Sequence, residues 1–129
     1  MLLAVTAVGL NFRDVLNVLG MYPGDPGNPG SDCSGVIMAA RRAGVAEEFV
    51  AGQRVYGLAH GCLGSLVAGP QSLLAALPPH LTPEEAATMP TAFCTVEAQA
   101  LAAVTAGGAR PRMLVHAGTG AVGLAAYQV

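Results

Sequence analysis

The chain of 129 residues contains no tryptophan and no lysine. Charge of either sign is scarce, at 11% of residues, where about a quarter is usual for a soluble domain. The six basic residues are all arginine. Beyond the Arg41-Arg42 pair they do not cluster, so nucleic-acid binding has no basic footprint to rest on. Long apolar runs are missing as well. Although 53% of residues are hydrophobic, no run approaches the roughly 18 residues that a spanning helix needs. The composition therefore points away from the membrane and toward a piece of something larger, with surfaces that further chain covers. Cysteine is limited to Cys33, Cys62 and Cys94, with no C-x-x-C pair. That odd, scattered set suits reduced thiols in a cytoplasmic protein and cannot supply a four-cysteine structural zinc site. Met1 to Leu10 has no basic flank and no small-residue cleavage pattern after it, so it reads as a buried strand and not as a leader.

Glycine, by contrast, is abundant, with 17 residues. The densest use is at Gly118-Thr119-Gly120-Ala121-Val122-Gly123, which fits the G-x-G-x-x-G spacing of a dinucleotide-binding turn. The apolar run Met113 to Val115 before it reads as a buried strand, and Ala121 to Gln128 after it as a helix. Glycines allow a tight turn and a close approach to a diphosphate, and the helix N-terminus offers it free N–H groups. Leu124 and Ala125 stand where an ATP-type phosphate loop requires Lys and Ser/Thr.

Taken in order, Leu2 to Gly9 reads as a strand. Phe12 to Leu19 reads as a two-turn helix, with apolar Phe12, Val15, Leu16 and Leu19 on one face, Asn11 as N-cap and Asp14 in the first turn. Met21 to Ser31 is a loop rich in proline and glycine, either a tether or a rim held against a ligand; Tyr22 favours the rim. Cys33 to Ala40 reads as a strand, and Arg41 to Gly52, with Glu47 and Glu48, as a connection. Arg54 to Leu58, Ser65 to Gly69 and Ser72 to Leu77 are short strands at turn-punctuated spacing, which suggests an antiparallel barrel. Thr82-Pro83-Glu84-Glu85 is a capping box, Pro90 breaks the helix it starts, and Thr91 to Thr105 is a longer alanine-rich helix ended by Gly107-Gly108. The expected fold class is mixed β and α/β. A small barrel occupies residues 1–89, and an inter-domain helix with the first βα unit of a doubly wound sheet occupies residues 90–129. Both ends look abrupt, within a strand and inside a helix, and the first barrel strands are expected to be missing.

These segments together resemble the medium-chain dehydrogenase/reductase superfamily, and most of all its zinc-independent enoyl reductase domains of polyketide and fatty-acid synthases. The resemblance is carried, in order, by Ala7-Val8-Gly9-Leu10-Asn11-Phe12-Arg13-Asp14-Val15-Leu16, Leu19-Gly20-Met21-Tyr22-Pro23-Gly24, Gly30-Ser31-Asp32-Cys33-Ser34-Gly35-Val36, Gly52-Gln53-Arg54-Val55-Tyr56-Gly57-Leu58, Leu81 to Pro90 and His116 to Gly123. It implies a GroES-like barrel followed by a Rossmann domain, with NADPH between them. It implies hydride transfer to the β-carbon of an α,β-unsaturated acyl thioester, carried on an acyl carrier protein beside other synthase domains. Quinone oxidoreductases are the next relatives and give the alternative acceptor.

For the site, the resemblance puts forward Tyr22 as proton donor or substrate contact, against a packed turn aromatic. It puts forward Asn11 as a partner of the nicotinamide ribose or substrate, against a helix cap, and Thr95 as a nicotinamide contact, against helix packing. Gly118, Thr119, Gly120, Ala121, Val122 and Gly123 are the cofactor-binding turn. The departures are as informative. Ala121 replaces the usual glycine, Ser31 lies where a zinc-ligand histidine would fall, and the chain ends before the residue that would contact the adenosine ribose. A reading of another class therefore stands beside the enzyme: an inactive truncated piece with a structural or interaction role.

Overall fold

The computed structural model describes residues 1–39, 49–107 and 113–129, with residues 104–107 by their backbone alone. Most of the Arg41 to Gly52 connection, together with Gly108 and Pro111, lies outside the described residues. Two compact units are present, Met1–Pro90 and Thr91–Val129.

The first unit is built on five antiparallel strands in the order β4-β1-β2-β3-β5. They are β1 (Leu2–Gly9), β2 (Asp32–Ala39), β3 (Arg54–Leu58), β4 (Leu66–Ala68) and β5 (Leu74–Ala76). β1 pairs with β2 from Leu2↔Ala39 to Gly9↔Asp32, with an irregularity between Val5 and Ala7 that leaves Thr6 as the extra residue. Leu3, Cys33, Ile37, Val55 and Val67 point to one side and close over Phe49, Ala59 and Cys62, forming the buried core. Alternation then sends Ser34 of β2 to the opposite face, where its hydroxyl donates to the Pro83 carbonyl at 2.8 Å.

That carbonyl opens α2 (Pro83–Ala87), which packs on β1, β2 and β3. The expected capping box is formed: Thr82 Oγ1 accepts the Glu85 N–H at 3.2 Å, and Glu85 Oε2 accepts the Thr82 N–H at 2.9 Å. Those bonds from Thr82 hold the Glu85 carboxyl below its ordinary value. Gly9 lets α2 come close, since a Cβ there would lie 2.1 Å from the Ala87 carbonyl oxygen.

Two local expectations change. The segment read as a strand from Ser72 begins with a 3₁₀ turn, Gln71–Leu73, and only Leu74–Ala76 joins the ladder. Helix α1 (Phe12–Val18) forms where expected, but its apolar residues are not its buried side. Phe12 is 75% exposed and Leu19 63%, whereas Asp14 is 5% exposed.

In the second unit, α3 (Pro90–Gly107) sets Ala92 and Val96 against Ala125 of α4 (Ala121–Ala126). The strand expected at Met113 to Val115 is absent: the segment has no ladder partner among the described residues, and Met113 and Leu114 are exposed. A three-residue run takes strand form through its neighbours, and none pairs with it here. Among the described residues, no helix is long and apolar enough to cross a membrane.

Candidate active site

The site in the first unit grows from α1 and the loop that follows it. Asn11 occupies the N-cap position and forms a capping box with Asp14. The Asp14 N–H goes to the Asn11 backbone carbonyl at 2.9 Å. The amide Nδ2 of Asn11 is spent elsewhere, donating to Asp32 Oδ2 at 2.9 Å. Asp14 uses both oxygens: Oδ2 accepts the Asn11 N–H at 2.9 Å, and Oδ1 accepts the Gly30 N–H at 2.8 Å. Two buried carboxylates thus fix the start of α1 to β2 and to the far end of the loop. Neither carboxylate was among the expected site residues. The signal was an acid opening an otherwise apolar strand, at Asp32, where burial demands a hydrogen-bonding partner.

Tyr22 is set by the end of the same helix. Gly20 takes φ 66°, and the Met21 and Tyr22 N–H groups return to the Leu16 carbonyl at 2.8 and 3.2 Å. The ring is half-buried, with the Arg13 guanidinium carbon 5.4 Å from its centroid, a cation–π distance. No described residue hydrogen-bonds its hydroxyl. The loop beyond is pinned and not a tether. Arg13 Nη2 donates to the Pro26 carbonyl at 3.0 Å and Asn17 Nδ2 to the Gly27 carbonyl at 3.0 Å. From the other side, the Gly61 N–H reaches the Gly30 carbonyl at 2.8 Å and the Leu63 N–H the Pro29 carbonyl at 3.2 Å.

Beneath this loop lie two thiols. Cys33 and Cys62 are both fully buried, and Cys62 Sγ donates to the Asp32 carbonyl at 3.5 Å. A hydrogen bond with Cys33, together with burial, pushes the Cys62 thiol up. Cys94, on α3, is exposed.

The glycine turn belongs to the second unit. The backbone bends at Ala117, which is the residue at positive φ, 51°. Gly120 N–H then bonds the Ala117 carbonyl at 2.9 Å, and Gly120 becomes the N-cap of α4. The three glycines do different things. A Cβ on Gly123 would lie 2.5 Å from the Gly118 Cα, and one on Gly118 would lie 2.6 Å from the Tyr127 hydroxyl. Gly123 is therefore required by packing of the turn on itself, whereas the atom facing Gly118 is the far end of the exposed Tyr127 side chain, which can swing aside. Gly120, with Thr119, Ala121 and Val122, is exposed. Ala121 and Val122, as the first residues of a helix, have N–H groups with no intrahelical acceptor. Thr95 is exposed on α3, and its hydroxyl donates back to the Thr91 carbonyl at 2.6 Å.

Asn11 and Tyr22 thus share one element of the first unit, and the cofactor-binding candidates lie in the second. Among the described residues, no three His, Cys, Asp or Glu side chains are grouped as metal ligands.

Residues 1–118 match the alcohol dehydrogenase GroES-like domain. The chain is 41% identical over 127 residues to the polyketide synthase GfsB of Streptomyces halstedii, covering 98% of this chain and 2% of the synthase. It is similar in structure to the CurK enoyl reductase, with a TM-score of 0.82 and 32% identity, covering 98% of this chain and 41% of that one. The quinone oxidoreductase of Thermus thermophilus, solved also as its complex with NADPH, is 38% identical with a TM-score of 0.69, covering 98% of this chain and 39% of that one. The chain therefore spans a small fraction of the synthase and about two-fifths of the two solved proteins.

Proposed function

The chain belongs to the alcohol dehydrogenase GroES-like domain family, within the medium-chain dehydrogenase/reductases, and from that premise we propose that it forms part of an NADPH-dependent enoyl reductase of a polyketide or fatty-acid synthase. The observation that carries the reading is the pairing of a tethered Asn11 with a Tyr22 whose hydroxyl has no partner among the described residues, at the two ends of one helix. The likeness to GfsB and to the CurK reductase supplies the reaction class.

In this reading NADPH supplies the hydride that goes to the β-carbon of an α,β-unsaturated acyl thioester. Tyr22 gives the proton to the α-carbon from its phenol hydroxyl. Asn11 borders the reacting atoms. Asp32 Oδ2 accepts from its amide nitrogen, which fixes the orientation of that side chain. Thr95 offers only lone pairs to the nicotinamide, because its proton is used within α3. Gly118, Thr119, Gly120, Ala121 and Val122 present backbone to the diphosphate, and Gly123 keeps the turn tight. The thioester enolate is held by hydrogen-bond donors near the reacting carbons, without zinc. The substrate arrives on an acyl carrier protein, and the other partners are synthase domains.

A second reading, a quinone oxidoreductase, is favoured by the likeness to the Thermus thermophilus protein. A longer chain carrying the rest of the reductase separates the two when assayed with NADPH against crotonyl thioester and against a quinone. The thioester is expected to be the better acceptor; faster quinone turnover overturns the synthase reading. In that chain Tyr22→Phe is expected to slow thioester reduction by about 10²-fold or more, and an unchanged rate removes Tyr22 from the chemistry. The 129-residue chain alone is proposed to be inactive and to bind NADPH weakly. A fluorescence titration that gave micromolar affinity would contradict this.

A further inference from the structure

A cavity of about 300 Å³ opens in the first unit, lined by Arg13, Pro26, Gly27, Asn28, His60 and Gly61. Three stretches of chain supply its walls: the first turn of α1, the loop after it and the turn after β3. The bonds already described cross-link all three, with Asn17 on the Gly27 carbonyl and Gly61 N–H on the Gly30 carbonyl. Gly61, at φ 78°, packs on Asn28, where a Cβ would sit 3.1 Å from that residue's own Cβ. The cavity is therefore formed before anything enters it.

Its lining is one-sided in charge. Arg13 is a permanent cation that spends one N–H on a neutral carbonyl and lies over a neutral ring. No carboxylate among the described residues pairs with it. The His60 imidazole and the Asn28 amide add hydrogen-bonding groups. No acid among the described residues lines the cavity; of the two acids beside it in sequence, Asp14 turns its oxygens to the Asn11 and Gly30 N–H groups, and Asp25 turns its Oδ1 to the Gly27 N–H at 2.9 Å. A guanidinium fork with four N–H groups to spare, beside an amide and an imidazole, is a receptor for an oxyanion and not for a cation or an apolar group.

We infer that this cavity is a subsite for a phosphate-class oxyanion, with Arg13 as its anchor and Asn28 and His60 at its rim. The site stands on its own geometry. Only the source of the phosphate, that of a pantetheine-bearing substrate, rests on the reductase reading.

The test is a titration of the isotope-labelled 129-residue chain with inorganic phosphate at constant ionic strength, followed by amide NMR. Saturable shifts are expected at Gly27, Asn28 and Gly61. Chloride giving the same shifts, or no saturation, overturns the site. Arg13→Gln is expected to weaken binding at least tenfold. Because Arg13 also holds the loop, Asn28→Asp serves as the second variant: it adds a negative charge to an exposed position and is expected to weaken binding as much with the spectrum otherwise unchanged. Undiminished binding in Asn28→Asp overturns the assignment. Coenzyme A and pantetheine are then compared. Coenzyme A binding more tightly than inorganic phosphate supports the substrate as source. Equal affinity of coenzyme A and inorganic phosphate leaves the oxyanion site standing and overturns that source, as does pantetheine, which carries no phosphate, binding as tightly as coenzyme A.

Discussion

Asp14 shows how a single side chain decides what its helix is for. Its acid suits the first turn of α1 by charge alone, and that much follows from its place after Asn11. Its burial follows from a partner further along the chain, the Gly30 N–H, which no local pattern reveals. Removing the carboxylate leaves that buried N–H and the Asn11 N–H without acceptors. An unsatisfied buried donor costs about 1–3 kcal/mol. Asp14→Ala is therefore expected to lower unfolding free energy by about 2–4 kcal/mol in a urea titration. A loss near zero would mean that the loop is not held through this residue. The same reasoning explains why Asn11 was legible as a cap by position and illegible in its side chain, whose amide is drawn to Asp32 from across the sheet.

Among the elements, the strands were the most readable. β1 and β3 occupy the spans that their apolar content and flanking glycines mark out. Register was not readable, because it depends on which backbones meet. Gly57 is the clearest instance. It lies inside β3 at φ 151°, and a Cβ there would fall 2.1 Å from the Leu73 carbonyl oxygen, at the point where β5 joins the sheet. Gly57→Ala combines backbone strain with a backbone clash, and is expected to cost on the order of 3 kcal/mol. Gly64→Ala, in open space, should stay within about 0.5 kcal/mol of the parent. Equal effects in thermal melts would show that β5 does not press on β3. The exposed Phe12 and Leu19 of α1 defeat the periodicity rule for a related reason: periodicity reports that one face of a helix is apolar, and the fold decides which face is covered.

At the scale of the whole molecule, the succession of a β-rich part, two helices and a glycine turn was visible in the texture of the chain. Chemistry was less so. The turn's spacing is that of a nucleotide loop, yet Gly123 is explained by its backbone contact with Gly118, so spacing alone could not separate tight packing from ligand approach.

The placement of the thiols has a practical consequence. Two are sealed within the first unit and the third stands open on the second. Maleimide should therefore add once to the native chain, at Cys94, and three times after denaturation, as counted by intact-mass spectrometry. A second native adduct would mean that the core around Cys33 and Cys62 breathes on the labelling timescale. One adduct makes the wild-type sequence ready for a spin probe on the second unit, with no cysteine to engineer away.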